Sequence, residues 1–576
     1  MRRLSVVIAL VVAAGVLASL PCLLSAFAAE PSKPAAIDDP NVQQAQAVPD
    51  VPITQPSPEL AAVAAGSAPA APTFGSAGAA PAAATPQQQA IASQPSANTV
   101  GGGEALTRPS SDVGDLLGKS ESSTGVEVQR RSPIVTDPRV RGYHVGQLIT
   151  QADGAYWFPA RQDLDTIVSK IDSSLIQSIV VLKGPYSVRY GPGFSFIDVE
   201  TLDTPRYDDG WQLHGTTAYG YKTNGQQQHG RQTLWGGTDE WGFRLGWDIG
   251  VGNDYESGND TRMPSSYNSQ NWNYAFGYTI SPDSRIEFRG IRLDQHDVEF
   301  PGIVFDVNRL ITDGYSARYT LENQCLFDRL TLDGWYNYTR FSGDDLRPGK
   351  QQQVPQLGPL QQGLLGFTQA HIVSTGFREA TTWGKEKEPQ LTFGVDLRYL
   401  SQYLNEFDIT TGAHTFSSGN YAIPKSHSAN PGLFLDDVLP VTERLVFKSG
   451  ARVDLVSTDI DRIPPPFGVV QTEAQYLAAL KETYRTDDFE NDYFLWSAYL
   501  TSEYKLTPEL TALAGVGYAM RPPTLTELYA NQPLLAILQN GLTRVSGNPT
   551  LRPEQALQMD FGLRADYGRL RAGANG

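Results

Sequence analysis

The stretch FRLGWDIGV places Phe243, Leu245, Trp247, Ile249 and Val251 on one face of an extended chain, with Arg244, Gly246, Asp248 and Gly250 on the other. LTFGVDLRY does the same, with Leu391, Phe393, Val395, Leu397 and Tyr399 against Thr392, Gly394, Asp396 and Arg398. In LVFKSGARVDL, Leu445, Phe447, Ala451, Val453 and Leu455 oppose Lys448, Arg452 and Asp454. Alternation of period two over about ten residues predicts strands of a transmembrane barrel. The connections sharpen the reading. Short turns at 238–240, 281–284, 327–329, 384–390, 439–444 and 506–510 alternate with long polar stretches near 253–270, 296–313, 343–369, 405–430, 458–491 and 521–554. Outer-membrane barrels have short turns on one side and long loops on the other. A soluble sandwich has the strands but no reason to sort its loops by length. Trp335, Tyr336, Tyr338 and Phe341 fit an interfacial aromatic girdle.

Before the barrel the texture changes twice. Residues 1–28 carry Arg2 and Arg3, an apolar run and Ala26-Phe27-Ala28, the pattern of a cleaved signal peptide. Residues 29–103 are rich in Ala, Pro, Gln and Ser with almost no aromatics, which predicts a disordered tether. Residues 104–208 mix short apolar segments with charge and form a compact α+β unit; the partial barrel is expected over 209–576.

Composition removes several classes of function. The formal charge of −17 argues against a nucleic-acid partner. Beyond the leader only Cys325 remains, so no disulfide framework holds the fold. The seven histidines show no HxxxH spacing, so spacing indicates no metal site and no cofactor. The run VVLKGPYSVRYGPG (180–193) looks like a phosphate loop, but its lysine precedes the glycines and a strand, FSFIDVET, follows where a helix is required. No Ser-His-Asp order or paired-acid pattern stands out, so an enzyme is not expected.

The same run carries a family resemblance. Arg141-Gly142, Asp153-Gly154 and Lys183-Gly184-Pro185-Tyr186-Ser187-Val188-Arg189-Tyr190-Gly191, followed by IDVET (197–201), resemble the plug domain of TonB-dependent outer-membrane receptors. MRPPTLTELY (520–529), with Arg521, Pro523, Glu527, Leu528 and Tyr529, resembles a barrel motif of that family. GNPTLRPE, with Gly547, Asn548, Pro549, Leu551, Pro553 and Glu554, resembles its companion motif. The resemblance covers 104–576 and departs in two places. Phe194 and Ser195 stand where the family usually has two glycines, and no TonB box is evident between residues 30 and 110.

What the resemblance implies is a receptor in the outer membrane of a Gram-negative-type envelope. Its lumen is filled by the plug, and it is energised by a TonB-type protein of the inner membrane for active uptake of a scarce, bulky ligand. A ferric siderophore leads; other metal chelates, vitamin B12 and glycans remain open. Ser187, Arg189 and Tyr190 are expected to face the lumen wall. The plug loops after Arg-Gly and Asp-Gly are expected near the ligand, which makes Tyr143, His144, Gln147, Tyr156, Trp157 and Arg161 ligand-binding candidates; packing of Trp157 and Phe158 inside the plug is the competing expectation. A passive channel and a surface-anchored binding protein are the alternatives. Some fourteen or fifteen strands are countable against the 22 the resemblance implies, and no terminal aromatic closes the chain, so a truncated barrel is expected. The leader predicts a mature N-terminus near Ala28, which N-terminal sequencing of the exported protein checks; a mature chain starting at Met1 removes the leader.

Overall fold

The computed structural model describes residues 88, 91–92, 94–107, 111–120, 123, 125–161, 166–303, 305–347, 350, 364–385, 388–410, 416–462, 472–532, 545–567 and 571–575. The expected leader and most of the expected tether lie outside them. The plug contributes β1 (Ala97–Gly101), β2 (Val126–Ser132), β3 (Val135–Val140), β4 (Leu148–Ala152), β5 (Ala155–Trp157), β6 (Ile176–Leu182) and β7 (Ser195–Thr201), with a short helix α1 (Val113–Lys119). Five of these strands form one sheet in the order β1-β6-β7-β4-β5, with β4 parallel to β7 and the other pairs antiparallel; β2 and β3 pair separately. Asp112 caps α1 by accepting from the Asp115 amide at 3.0 Å.

Every residue of β6 is buried. Ile179, Val181, Ile197 and Val199 pack beneath Val113, Leu116 and Leu117 of α1. On the other face Val180, Leu182 and Phe196 pack with Tyr186, Tyr190 and two residues of the barrel, Phe434 and Tyr499. A sheet covered on both faces reads as a continuous apolar run rather than an alternation, hence the nucleotide-loop look of IVVLKG. The plug also starts upstream of the boundary expected at 104. Ala97–Gly101 pairs with β6, Ala97 opposite Leu182 and Gly101 opposite Ser178, and Gln94 accepts from Thr501 of the barrel at 2.6 Å. A segment poor in aromatics can still add a strand, because ladder hydrogen bonds use only backbone.

Among the described residues the wall is a single antiparallel sheet of 15 strands. It runs through β8 (Gln212–Lys222), β9 (Gln227–Gly237) and β10 (Trp241–Gly252), and two short strands, β11 (Tyr255–Glu256) and β12 (Arg262–Met263), form a side hairpin. It continues with β13 (Tyr267–Ser281), β14 (Ser284–Val298), β15 (Asp306–Glu322), β16 (Arg329–Asp344), β17 (Leu364–Trp383) and β18 (Gln390–Thr410). The last six are β19 (Phe416–Pro440), β20 (Leu445–Ile460), β21 (Asn491–Lys505), β22 (Leu510–Arg521), β23 (Glu554–Asp566) and β24 (Arg571–Asn575). No helix among the described residues is long and apolar enough to cross a membrane; the spanning elements are strands.

Burial decides between barrel and sandwich. The apolar face of the strands is the exposed one: Trp272 is 49% exposed and Phe561 66%, while inward Arg452 is 1% and Asp396 1%. A sandwich buries the opposite set. Sorting of the connections holds at the extremes, from two residues between β13 and β14 to 32 between β22 and β23, but fails between β18 and β19, whose five residues are fewer than the six between β17 and β18. Two expectations need correction. The polar stretch 405–430 is largely strand, since β18 runs to Thr410 and β19 starts at Phe416; polar side chains do not stop a ladder that uses backbone groups alone. Of the expected girdle only Tyr336 (45% exposed) is strongly outward, whereas Trp335 (5%) and Phe341 (2%) turn into the lumen. Neighbours on a strand face opposite ways, so an aromatic cluster in sequence cannot all reach lipid.

Polar inner wall meets polar plug through paired charges. Arg289 reaches Asp153 at 2.8 Å and Asp203 at 2.7 Å. Arg318 reaches Glu200 at 3.0 Å and Asp333 at 2.6 Å. Arg189 of the plug holds Asp436 at 2.6 Å. At the centre, Arg452 forks onto Asp396 at 2.7 and 2.8 Å, holds Asp454 at 2.6 Å, and donates to the Val188 carbonyl at 3.2 Å. Removing one member of a buried ion cluster strands the rest without countercharge, at a cost of about 3–5 kcal/mol. Arg452→Ala is expected near the lower end, about 3 kcal/mol, because Arg398 stays 3.5 Å from Asp454. Adding Asp396→Asn restores part of the loss. Thermal unfolding of the detergent-solubilised protein measures both.

Candidate functional site

Two Xaa-Gly pairs bend the plug toward the wall. Arg141 and Gly142 have φ of 51° and 84°, and Asp153 and Gly154 have 51° and 80°. Consecutive positive φ values make two-residue turns of the primed type, which favour glycine second. Asp153-Gly154 joins β4 to β5, with Ala152 paired to Ala155. Asp153 is fixed by Thr201, whose amide donates at 2.8 Å, and by Arg289 at 2.8 Å.

The sequence motifs converge on β23 and its approach. Arg141 meets Asp560 at 2.8 Å, and the Tyr186 hydroxyl donates to the same carboxylate at 2.5 Å. Gln558 donates to the Lys183 carbonyl at 2.8 Å. One step toward the long-connection end, Gln147 donates to Glu554 at 3.0 Å. Glu554 also holds Arg521 at 2.6 Å, and Arg521 forks onto Glu527 at 2.8 and 2.9 Å. Glu527 lies in helix α2 (Leu525–Tyr529), capped reciprocally with Thr524. Burial alone would raise the Glu527 carboxyl, but Arg521 and the Thr524 donors bring it below the usual range. The Asn548 amide donates to the Glu527 carbonyl at 3.0 Å, and the Gly547 amide donates to Ala530 at 2.6 Å. Leu528 and Tyr529 are buried beneath, with the Tyr529 hydroxyl on the Phe489 carbonyl at 2.6 Å. Pro549 is buried, and the Leu551 carbonyl accepts from Tyr493 at 3.2 Å; Pro523 borders a cavity described below. Barrel motifs far apart in sequence and the Arg-Gly loop thus form one bonded unit.

Of the Gly-Pro turn, Arg189 faces the wall, donating to Asp436 and to Thr392 at 3.1 Å. Ser187 accepts from the Arg189 amide at 3.3 Å. Tyr190 meets the wall with its ring, 5.7 Å from the Arg378 guanidinium, while its hydroxyl turns back to Asp198 at 3.1 Å. The ring also packs against Phe196, with centroids 5.7 Å apart. A side chain at Gly191 would collide with the Arg398 guanidinium, so this glycine serves close approach to the wall. Phe194, where the resemblance calls for glycine, packs at a tilt against Tyr143, with ring centroids 5.6 Å apart, and donates its amide to the Gln147 carbonyl at 3.0 Å.

The ligand-binding candidates divide. Tyr143, His144 and Gln147 are half-buried. Trp157 is 8% exposed and packs in the plug core, and Phe158 is buried among wall residues. Arg161 is 2% exposed, with its guanidinium 4.3 Å from the Phe305 ring and 5.6 Å from Phe341. Phe305 belongs to the connection 299–305, so the long-connection side covers Arg161. The Tyr156 carbonyl accepts from Asn337 at 3.1 Å and Ser374 at 2.7 Å. Burial pushes its phenol up to about 12, so it stays a neutral donor. Tyr156, Phe158, Gly146 and Pro192 line a cavity of about 70 Å³ with Arg398, Asn430 and Pro523 of the wall.

Sequence reading missed Asp560, Gln558 and Asp436, the barrel anchors. It also missed a grouping of Asp172, His229 and Asp248, whose ligand-type atoms lie within 4.8 Å of one another. Local spacing cannot reveal a cluster drawn from three elements. The available signal was the inward phase of each strand, on which His229 and Asp248 fall.

The family model described as TonB-dependent Receptor Plug Domain matches residues 90–195. The model described as TonB dependent receptor-like, beta-barrel matches residues 187–576. No curated protein sequence matches. Among solved structures, the copper transporter OprC is similar at 22% identity and TM-score 0.69, over 84% of this chain and 71% of that one. The FrpB iron transporter from Neisseria meningitidis (F3-3 variant) follows at 14% and 0.60, over 83% and 71%. The siderophore receptor PirA from Acinetobacter baumannii stands at 13% and 0.58, over 85% and 71%. With a plug sheet seated by ion pairs inside an inward-polar wall, and with both family models matched, the chain belongs to the TonB-dependent receptors of the outer membrane.

Proposed function

We propose that this receptor takes up a bulky, anionic metal chelate, a ferric siderophore foremost, using energy delivered by a TonB-type partner. The observation that carries the reading is Arg161. It sits on the plug loop that climbs toward the long connections, beside the stacked rings of Phe305 and Phe341. A guanidinium framed by aromatic faces suits a planar anion, which it binds by charge-assisted hydrogen bonds while the rings stack. Tyr156 adds a neutral donor in the cavity it shares with Phe158 and Arg398. Similar structures include an iron transporter and a siderophore receptor by name. A passive channel has no use for a plug seated by ion clusters such as Arg452 with Asp396 and Asp454. Because Phe305 covers Arg161, ligand entry requires the 299–305 connection to move outward. Aromatic contact with the guanidinium is then replaced by contact with the chelate.

Growth of a deletion strain on a panel of iron chelates, vitamin B12 and glycans tests the ligand class. The expected outcome is rescue by this receptor on one or more ferric chelates, lost when the TonB-type protein is deleted. Rescue that survives that deletion overturns active uptake. At the residue level, Tyr156→Ala with Arg161→Ala is expected to weaken chelate binding by about 1–3 kcal/mol in calorimetric titration, with folded receptor in the membrane unchanged. Loss of folded receptor with normal binding by the remainder assigns these residues to packing instead.

A further inference from the structure

At the seam between plug and wall, away from Arg161, a cavity of about 250 Å³ is bounded by Asp172, His229, Asp248 and Asn271, with Lys170 and Lys222. Asp172 belongs to the plug, just before the turn Ser173–Leu175 that leads into β6. His229 and Asp248 belong to β9 and β10. Register explains the meeting. Asp248 is paired across the sheet with Arg231 on one side and Asn271 on the other. His229 lies two residues before Arg231 and so shares its face.

Three ligand-type groups converge here, and Asn271 lines the same cavity. The Asp172 and Asp248 carboxylates are in direct contact. The His229 Nε2 atom is 3.8 Å from Asp172 Oδ2. Asn271 is 3% exposed and donates its amide to the Lys170 carbonyl at 3.0 Å, yet its Oδ1 atom is buried without a hydrogen-bond partner. An orphaned buried acceptor costs about 1–3 kcal/mol, and two facing carboxylates repel. Arg231 answers part of this, contacting Asp172 Oδ2 at 2.5 Å. Asp172 is also held in place, since its Oδ1 atom accepts from the Ser174 amide at 2.8 Å.

We propose that Asp172, His229 and Asp248, with the Asn271 carbonyl, bind a divalent first-row metal ion that ties the plug to the barrel wall. Two carboxylates, one imidazole and one amide oxygen suit ions such as Zn²⁺, Co²⁺, Fe²⁺ or Mn²⁺. The cavity wall carries no thiol or thioether, so it is a poor match for Cu(I). Around an ion with bonds of about 2.0–2.1 Å, neighbouring ligand atoms stand about 3.4 Å apart. The present spread of up to 4.8 Å closes by rotation of His229, which is 31% exposed and the freest of the three. Arg231 contacts Asp172 Oδ2 through Nε at 2.8 Å and through Nη2 at 2.5 Å, so the ion takes the place of one of these two contacts. Because the ligands come from both plug and wall, binding stabilises the seated plug.

The test uses the metal alone and the full chain in detergent, so it does not depend on the transport ligand or on the uptake reading. Wild type is expected to bind one Co²⁺ per chain, with the ligand-field absorption of protein-bound cobalt, and to unfold at a higher temperature as Co²⁺ or Zn²⁺ is added. His229→Ala and Asp248→Asn should each lower the affinity at least tenfold and abolish the thermal shift. His296→Ala, on the outward face of β14, should change neither. The proposal is overturned if wild type shows no stoichiometric binding, or if both site variants bind like wild type. Should His229→Ala fail to fold, the near-isosteric Asp248→Asn decides alone: undiminished binding sinks the site, and a tenfold loss supports it.

Discussion

Strands that present apolar side chains to lipid must turn their polar side chains inward. Those inward groups then need partners, because the plug occupies the space where water would otherwise solvate them. This demand organises the molecule. Lipid offers no hydrogen bonds to the backbone, so the wall is one continuous antiparallel ladder. The plug is seated partly by apolar contact, as where Phe158 and Ala160 pack among Leu310, Phe341 and Ile372, and partly by charge. Arg452 with Asp396 and Asp454, Arg318 with Glu200 and Asp333, and Arg289 with Asp153 and Asp203 are the contacts that result.

A seat of that kind differs from a hydrophobic one in how it can be released. Apolar contacts lose energy gradually as surfaces separate, whereas a buried ion pair separated without water leaves two uncompensated charges. A plug held by ion clusters therefore stays fixed while the seam is dry and loosens once water reaches it. The apolar patches that do cross the seam, such as Tyr186, Val188 and Tyr190 against Phe434 and Tyr499, adjoin the ion clusters and help exclude water from them.

The placing of the plug loops follows from the same geometry. Loops leaving the plug at Arg141-Gly142 and Asp153-Gly154 rise along the wall, and their polar groups find wall partners at each level. Arg141 finds Asp560, Gln147 finds Glu554, and Arg161 reaches Thr368 at 3.4 Å and the rings of Phe305 and Phe341. The barrel motifs at 521–529 and 547–554 are scaffolding for this climb, locked by Arg521, Glu527 and Glu554.

Sequence by itself determined the strands, their inward and outward faces and the ordering of short and long connections, because a period of two and a length near ten are local properties that each strand carries alone. It also located the Arg-Gly and Asp-Gly turns, where positive φ demands particular residues. Partners were decided by tertiary structure. Nothing in the local pattern pairs Arg141 with Asp560 or Arg452 with Asp396, since any inward arginine could meet any inward acid until register and plug position are set. Trp335 and Tyr336 looked alike in sequence and face opposite ways. The low-complexity stretch around 97–101 gave no sign of a strand, because its ladder is supplied by the edge of β6 rather than by its own side chains. The grouping of Asp172, His229 and Asp248 likewise exists only where a plug turn meets two neighbouring wall strands. Periodicity is written within a segment, whereas a site built at a seam is fixed by how two segments are placed against each other.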